Sequence, residues 1–302
     1  MNNFLHVDDL SAEELNNILD KSSWIKEKFK KRQEYYPLRG MTMAMIFAKP
    51  SARTRISFET GFYRLGGHAL YLGPNDIGIG KRESVADVAR VISRFNDIIM
   101  ARLFDHSHVL ELAEHASVPV INGLTDFNHP CQIVADLFTI KEKLGRHQNF
   151  TISYVGDGNN IVHSWLELSM VIPFKFNIVC PEEYCPDMDL VKKAKAKGLS
   201  DINIEHDPYD GVKNSDIVYT DVWASMGQKE EADKRKKIFE PFQINEKLFN
   251  ASGENTYFMH CLPAERGVEV TDQICDHPNS IIFDQAENRM HAQNAIVLDL
   301  LT

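Results

Sequence analysis

Residues 43–72 read MAMIFAKPSARTRISFETGFYRLGGHALYL. A short apolar run at 43–47 is followed by a helix-length pattern at 53–65, which closes at a pair of glycines, and then by a second apolar run at 68–72. A strand, a helix and another strand in this order build a unit in which the two strands run parallel. The stretch therefore predicts part of a parallel sheet with helices packed on its faces.

The same alternation continues along the chain, where short apolar runs alternate with amphipathic segments of helix length. Strands are predicted at 43–47, 68–72, 97–101, 118–121, 151–155, 177–180, 216–220, 257–260 and 280–283. Helices are predicted at 53–65, 84–95, 108–116, 130–144 and 287–301, after an opening helix that begins near Ser11. We expect an α/β fold of two doubly wound domains, each a parallel sheet flanked by helices, joined by interdomain helices.

The joint between the two sheets is expected near the long helix at 130–144, because the polar stretch at 145–149 precedes a fresh strand. We predict a first domain at 1–132 and a second domain at 133–285. From its pattern alone the last helix could pack on either domain, and we assign 286–302 to the first.

Composition limits the classes of partner. The chain has 302 residues, with 33 Lys+Arg against 43 Asp+Glu and a formal net charge of -10, so we expect binding neither to nucleic acid nor to an anionic membrane. A small, locally basic pocket remains compatible with this charge. No stretch approaches the roughly 18 apolar residues that span a bilayer, which predicts a soluble protein. The 5 scattered cysteines include no CxxC pair, so a reducing, cytoplasmic compartment is expected.

In parallel sheets, ligands bind beyond the carboxyl ends of the strands. The loop at 47–55 runs from a strand into a helix that Ser51 can cap. The unpaired backbone N–H groups at a helix start attract an anion, and Arg53 and Thr54 add further donors, which predicts a phosphate site. The alternative is a capped helix whose arginines are merely solvated.

Two further loops in the first half carry candidate residues. Arg102 follows a predicted strand, although taken alone it could equally form a surface ion pair. His129 precedes Pro130 at a helix start, where a neutral imidazole could donate to a carbonyl oxygen, while a lone histidine is more often structural. We assign no chemistry to Cys131.

The loop VGDGNN at 155–160 follows the first strand of the second half. Its G-x-G pattern favours a dinucleotide-binding loop, but Ile161 occupies the position of the third glycine in the G-x-G-x-x-G motif of such loops. The paired asparagines suit the amino and carboxylate groups of a zwitterion equally well. Both alternatives remain open from these residues.

A carboxylate and a thiol follow two later strands. Asp221 and Cys261 could flank an amine, with the thiol or thiolate accepting its proton. Cys261 could equally be a buried core thiol. His260 is not automatically its partner, because neighbouring residues on a strand point to opposite faces.

Together these motifs resemble the aspartate/ornithine transcarbamoylase family. KPSARTR at 49–55 looks like the family's carbamoyl-phosphate loop, and HPCQ at 129–132 looks like its HPxQ motif. SMG at 225–227 and HCLP at 260–263 are similar to the signatures of the ornithine carbamoyltransferases. The resemblance covers effectively the whole chain, as far as QAENRMH at 285–291. Relatives that use aspartate, putrescine or acetylated ornithine differ in the second-half motifs.

The resemblance implies transfer of a carbamoyl group from carbamoyl phosphate, bound first, to L-ornithine, giving citrulline and phosphate in arginine metabolism. It implies no cofactor and no metal. Domain 1–132 would bind carbamoyl phosphate and domain 133–285 would bind ornithine. The implied carbamoyl-phosphate residues are Ser51, Ala52, Arg53, Thr54, Arg102, His129, Gln132, Cys261, Leu262 and Arg289. The implied ornithine residues are Asn160, Asp221, Ser225 and Met226.

Four of these residues carry the implied chemistry: Arg102, His129, Asp221 and Cys261. Ala52 departs from the family, which usually has Thr there, so phosphate affinity is reduced if that hydroxyl assists binding. The glycine-rich loop at 75–84 could be a solvated turn. In the family this loop reaches a neighbouring subunit's phosphate site, which implies a homotrimer or a higher assembly of trimers.

Two competing functions come from other classes. An NAD-dependent oxidoreductase would use the Gly156–Gly158 loop, and a non-catalytic module would bind carbamoyl phosphate without producing citrulline.

Overall fold

The computed structural model describes residues 1–80, 82–224 and 232–302. The chain divides into two compact units: Met1–Phe138 with Glu287–Thr302, and Thr139–Ala286. The divisions fall within helix Pro130–Leu144 and near the start of helix Ile282–Leu301, so two helices connect the units. Each unit contains one parallel sheet with helices around it, which confirms the predicted α/β class. The assignment of one substrate to each predicted domain stays a prediction.

The first unit contains a four-stranded parallel sheet. Its strands are β1 (Thr42–Phe47), β2 (His68–Leu72), β3 (Ile98–Arg102) and β4 (Val120–Leu124), in the order β2-β1-β3-β4. Its helices are α1 (Ala12–Lys30), α2 (Ala52–Arg64), α3 (Pro74–Ile77), α4 (Val85–Ile92), α5 (His106–His115) and the first turns of α6 (Pro130–Leu144), after a 3₁₀ turn at Val7–Asp9.

Burial on both faces explains the apolar runs of this sheet. Every residue of β3 and β4 is buried, and β1 is buried from Met43 onward. Because helices cover both sides, these strands lack the polar alternation of a half-exposed strand. The strand order reverses between β1 and β3, so the loops that follow these two strands diverge and leave space for a ligand.

The second unit contains a five-stranded parallel sheet in the order β7-β6-β5-β8-β9. Its strands are β5 (Thr151–Val155), β6 (Lys175–Val179), β7 (Asp201–Glu205), β8 (Ile217–Thr220) and β9 (Tyr257–His260). Its helices are α7 (Asn160–Ser169), α8 (Met188–Lys197), α9 (Pro208–Gly211), α10 (Ala232–Phe239), α11 (Glu246–Asn250) and α12 (Asp272–Cys275), with 3₁₀ turns at Glu182–Tyr184 and Glu240–Phe242. The last helix, α13 (Ile282–Leu301), begins in this unit and belongs to the first unit from Glu287 onward. The order reverses between β5 and β8, which places a second switch point there.

Two strand predictions differ from the structure. The strand β7 was missed, because in this edge strand only Ile202 is buried and the sequence reads as a polar segment. The predicted strand at 280–283 is wrong: Ser280 makes an isolated bridge to Phe258, and α13 already begins at Ile282. A short apolar run at a helix start has the same appearance as a short strand.

Among the helices of the described ranges, none combines the length and apolar character needed to cross a membrane.

Candidate active site

The first group of predicted residues lies at the carboxyl ends of β1 and β3. Ser51 caps α2: its Oγ accepts from the Thr54 N–H at 3.3 Å and donates to Thr54 Oγ1 at 3.1 Å. Arg102 pairs with Phe47 in the sheet register, and its Nη1 donates to Thr54 Oγ1 at 3.4 Å. The switch point therefore brings a helix N-terminus and a buried guanidinium together, an arrangement that suits an anion.

The two residues between Ser51 and Thr54 have exposed side chains. Ala52 and Arg53 occupy the first turn of α2 and face outward, in contrast to the buried Thr54. Arg53 can therefore reach an anion only from the solvent side of this loop. Ala52 offers no polar group at this position.

His129 is buried directly before α6. Burial, together with the charges of Arg289, Arg102 and Lys49, holds the pKa of this imidazole well below its usual value. The ring is therefore neutral at physiological pH, and one ring nitrogen can donate a hydrogen bond to a carbonyl oxygen. The three cations that act on His129 also make this part of the unit positive, despite the acidic chain.

Lys49 was not among the predicted site residues. It is buried, its Nζ lies 3.4 Å from Asp126 Oδ1, and it also lies 5.1 Å from the centre of the Phe104 ring. A lysine directly before Pro50 in the phosphate loop was the available signal. Its burial against an aromatic ring was not readable from the sequence.

Arg289 and Gln132 meet in this unit from distant parts of the chain. Arg289 Nη1 donates to Gln132 Oε1 at 2.6 Å, and Gln132 Nε2 donates to Asp136 Oδ1 at 2.8 Å. In the amide orientation that satisfies the hydrogen-bond network, Gln293 Oε1 accepts from Arg289 Nε at 3.1 Å and Nη2 at 2.9 Å. These amide oxygens help to orient the buried guanidinium.

Cys131, next to Gln132, belongs to the core. Its Sγ donates to the Asn122 carbonyl at 3.3 Å, and burial raises the pKa of the thiol to about 12. The group is therefore a protonated thiol at physiological pH.

The second group of predicted residues lies in the second unit, at the switch point between β5 and β8. Asn159 caps α7, and its Nδ2 donates to Asp221 Oδ2 at 3.1 Å. Asp221 Oδ1 accepts from the Val222 N–H at 2.8 Å, so both carboxylate oxygens have a fixed direction. The predicted residue Asn160 is the first residue of α7, beside the contact that Asn159 makes.

Cys261 lies after β9, next to the Asp221 carboxylate. One donor atom from each of Asp221, His260 and Cys261 lies within 4.8 Å of the others. Tyr154 was missed by the sequence analysis: it is fully buried, and burial, reinforced by the Asp221 and Cys261 charges, holds its phenol pKa well above the usual value. A tyrosine on an apolar strand reads as core, so the sequence offered no signal.

His260 is held in one tautomer. Its Nδ1 accepts from the Leu262 N–H at 2.9 Å, so the proton is on Nε2, which donates to Glu269 Oε1 at 3.0 Å. Both ring nitrogens therefore take part in hydrogen bonds. Through the bond to the Leu262 N–H, His260 positions the turn at Cys261 and Leu262. A metal ion on the three neighbouring donor atoms would have to break one of these bonds. The expectation that no metal is needed stays a prediction.

Leu262 has a backbone conformation that is rare for a residue with a side chain. Its φ is 58°, in the left-handed region, and the peptide bond to Pro263 is cis. A non-glycine residue there costs about 1–3 kcal/mol and persists where surrounding contacts impose it. Here the His260 ring supplies one of those contacts, through the Leu262 N–H.

The two glycines of the loop at 156–158 have structural roles, and Gly156 has a φ of 147°, which residues with a side chain rarely adopt. A Cβ on Gly158 would lie 2.3 Å from the Pro186 backbone nitrogen, so only glycine fits against that turn. The side chain between the glycines, Asp157, pairs with Arg235 Nη1 at 2.8 Å, and burial raises its pKa. The G-x-G pattern is thus explained without a dinucleotide.

Ser225 and Met226, two predicted ornithine residues, lie outside the described residues. Cys261 and Leu262, which the sequence also assigned to carbamoyl phosphate, belong to the second unit, whereas the other carbamoyl-phosphate residues belong to the first.

Known proteins resemble the chain over its whole length. The family described as "Aspartate/ornithine carbamoyltransferase, carbamoyl-P binding domain" matches residues 2–142, and its "Asp/Orn binding domain" matches residues 148–300. The chain is 58% identical over 302 residues to "Ornithine carbamoyltransferase, chloroplastic" of Pisum sativum, covering 100% of this chain and 80% of that protein.

Two further comparisons involve Pyrococcus furiosus. The chain is 49% identical over 296 residues to its "Ornithine carbamoyltransferase, anabolic", covering 97% of this chain and 94% of that protein. The solved structure of ornithine carbamoyltransferase from this organism has a TM-score of 0.94, with 99% of this chain and 96% of that chain covered at 49% identity. Since both halves match and the alignments span nearly the whole chain, this protein belongs to the aspartate/ornithine carbamoyltransferase family.

Proposed function

We propose that this chain is an ornithine carbamoyltransferase, which transfers the carbamoyl group of carbamoyl phosphate to the δ-amine of L-ornithine and releases L-citrulline and phosphate in arginine metabolism. The observation that carries the proposal is the placement of Asp221 and Cys261 donor atoms within 4.8 Å of each other, after adjacent strands. A carboxylate beside a thiol suits a cationic amine that must lose a proton. The names of the full-length relatives support the same acceptor.

Carbamoyl phosphate would bind in the first unit. Ser51, Arg53, Thr54 and Arg102 hold the phosphate, with the N-terminus of α2 contributing backbone N–H groups. Ala52 offers no hydroxyl to that phosphate, so affinity would rest on its neighbours. The buried cations that act on His129 supply the positive potential that a dianion requires.

The carbamoyl group would be polarised by hydrogen bonds and charge. Neutral His129, together with Arg102 and Thr54, donates to the carbonyl oxygen as the carbon becomes tetrahedral. Gln132, Arg289 and the Leu262 carbonyl oxygen orient the carbamoyl group. Gln132 Oε1 accepts a hydrogen bond from Arg289, and this bond orients the guanidinium before the substrate binds.

The nucleophile presents the main physical difficulty. The δ-amine has a lysine-like pKa of about 10.4, which is about three units above physiological pH, so the amine is almost entirely protonated. Formation of the neutral amine therefore costs roughly 4 kcal/mol. Asp221 would attract the ammonium group, and Cys261 would help to position the amine and accept its proton. Asn160, Ser225 and the Met226 backbone would hold the α-amino and α-carboxylate groups.

A homotrimer is proposed for the assembly, with the loop at 75–84 of one subunit reaching the phosphate site of the next. The described part of this loop has two glycines with positive φ, Gly78 and Gly80, and the Arg82 N–H donates to the Gly78 carbonyl at 2.8 Å. Light scattering at several dilutions tests this proposal, and monomers with full activity would contradict it. We also propose a cytoplasmic location, which suits five cysteines that form no disulfide.

A citrulline assay with ornithine, putrescine and aspartate tested side by side would decide the function. We expect citrulline with ornithine only, and a kcat/KM that rises with pH through the alkaline range as the free amine becomes available. Binding of carbamoyl phosphate without any product would favour a non-catalytic module. Tight binding of a nicotinamide dinucleotide would favour the oxidoreductase.

A further inference from the structure

Three candidate metal ligands meet at one edge of the second sheet. Cys180 directly follows β6, and His206 directly follows β7, the strand next to β6. Cys185 follows the 3₁₀ turn at Glu182–Tyr184, which begins just beyond Cys180. These side chains therefore gather at the carboxyl ends of two parallel strands, where α/β sheets bind ligands. None of them is among the residues proposed above for carbamoyl transfer.

The distances suit a tetrahedral metal ion. Cys180 Sγ lies 3.9 Å from Cys185 Sγ, and a His206 ring nitrogen lies within 4.8 Å of both sulfur atoms. Two thiolates on one tetrahedral Zn²⁺, each at about 2.3 Å, are about 3.8 Å apart. The two sulfurs are thus already at the separation that a shared ion requires, and they form no disulfide.

The His206 ring makes a hydrogen bond of the kind that metal-binding histidines usually make. Its Nδ1–H donates to the Cys180 carbonyl oxygen at 2.7 Å, which leaves the ring's lone pair on Nε2. Histidine ligands commonly donate their other ring N–H to a backbone carbonyl in this way, because the bond fixes the tautomer. Cys180 is buried, so its sulfur is shielded from solvent, whereas His206 is exposed, so a metal ion can reach the cluster from solvent.

We propose that Cys180, Cys185 and His206 form a site for one thiophilic divalent cation of the Zn²⁺ class. Two thiolates and one imidazole are three of the four ligands that Zn²⁺ takes, and water completes the tetrahedron. On binding, each thiol releases its proton to solvent and the sulfur bonds to the metal, so no oxidant or reductant is required.

The site adjoins the loop that precedes α7. The Gly158 N–H donates to the Tyr184 carbonyl at 3.0 Å, and the Arg235 guanidinium lies 4.8 Å from the centre of the Tyr184 ring. Arg235 Nη1 also donates to Asp157 Oδ2 at 2.8 Å. A metal ion bound to both Cys180 and Cys185 would restrict the turn that contains Tyr184. Because the Gly158 N–H donates to the Tyr184 carbonyl, the same ion would also restrict the loop at 156–160.

The test uses full-length, reduced, metal-free protein with Cys261→Ala as the background, because Cys261 is itself near an imidazole and a carboxylate. Zn²⁺ is titrated in competition with a chromogenic chelator. We expect one Zn²⁺ per chain, and a loss of affinity of more than about 100-fold in Cys185→Ser, because a direct ligand matters more than an outer-shell partner.

The matched control is Cys275→Ala, which removes another thiol of the same unit and should leave Zn²⁺ affinity unchanged. His206→Ala, at an exposed position that should not affect folding, should weaken binding as Cys185→Ser does. Two further readouts are the thiolate charge-transfer absorption of bound Co²⁺ and a Zn²⁺-dependent rise in Tm. Both should be lost in the two ligand variants. Failure to bind Zn²⁺, or equal binding by the ligand variants and the control, would overturn the proposal, whatever the result of the citrulline assay.

Discussion

Arg289 Nη1 donates to Gln132 Oε1 at 2.6 Å, although 157 residues separate the two in sequence. The bond joins the HPCQ motif to the helix α13 within the first unit. Both residues are buried, and the amide oxygens of Gln132 and Gln293 accept hydrogen bonds from the guanidinium. Hydrogen-bond donors that are oriented in advance in this way can stabilise a bound substrate without reorganising.

Gln132→Ala should therefore raise KM for carbamoyl phosphate. Loss of a hydrogen bond to a charged group predicts a change of about 10- to 100-fold, with less effect on KM for ornithine. Steady-state kinetics with each substrate varied in turn measure both values. Gln33→Ala, at an exposed position, is the control and should change neither. An unchanged KM for carbamoyl phosphate in Gln132→Ala would exclude this role.

Cys261→Ala should lose turnover and keep carbamoyl-phosphate binding. Removal of a group that positions the amine and accepts its proton predicts a fall in kcat of about 100-fold or more. Calorimetric titration with carbamoyl phosphate measures the retained binding, and a citrulline assay measures turnover. Cys275→Ala serves as a matched thiol deletion in the same unit. Normal turnover in Cys261→Ala would remove this residue from the mechanism.

Asp221→Asn tests the carboxylate charge without a change in side-chain size. The new side-chain oxygen can accept from the Asn159 amide or from the Val222 N–H but not from both, so an unchanged Tm is required to show that the variant folds. Loss of the negative charge beside the substrate ammonium predicts a kcat/KM for ornithine lower by about 100-fold. Asp233→Asn, at an exposed position of α10, should have no effect. Similar kinetics for the two variants would show that the charge is not used.

Acidification should destabilise the protein partly through His291. Burial, with a contribution from the Lys26 charge, lowers the pKa of this imidazole to about 4. Since the unfolded chain has a histidine pKa near 6.5, the unfolded state binds the extra proton between these values. The folded state therefore loses stability as pH falls below 6.5, by about 2 kcal/mol at about pH 5.

His291→Gln removes this titration. The difference in unfolding free energy between neutral pH and about pH 5, from urea unfolding, should be about 2 kcal/mol smaller than in the wild type. His68→Gln, at an exposed position, should leave the difference unchanged. Because His129 also has a lowered pKa, some acid sensitivity remains in both variants. An identical pH dependence in the wild type and His291→Gln would contradict the assignment.

The positions of the candidate loops were predictable from the amino-acid sequence. Ser51 and Arg102 follow apolar runs, and so do Asp221 and Cys261, so strand periodicity alone placed each of them at the carboxyl end of a parallel strand. Local signals are sufficient here because strand and helix patterns extend over only a few residues. The edge strand β7 was missed for the same reason, since its local pattern is mostly polar.

The sequence by itself thus determined the α/β class and the loops that carry the chemistry. Only the tertiary structure decided the strand order, and so which loops are neighbours at each switch point. It also decided that His260 is engaged with Glu269, that Tyr154 lies beside Asp221, and that Cys180, Cys185 and His206 converge. The physical reason is that burial and hydrogen-bond partners depend on contacts between distant segments, and no local pattern in the chain records these contacts.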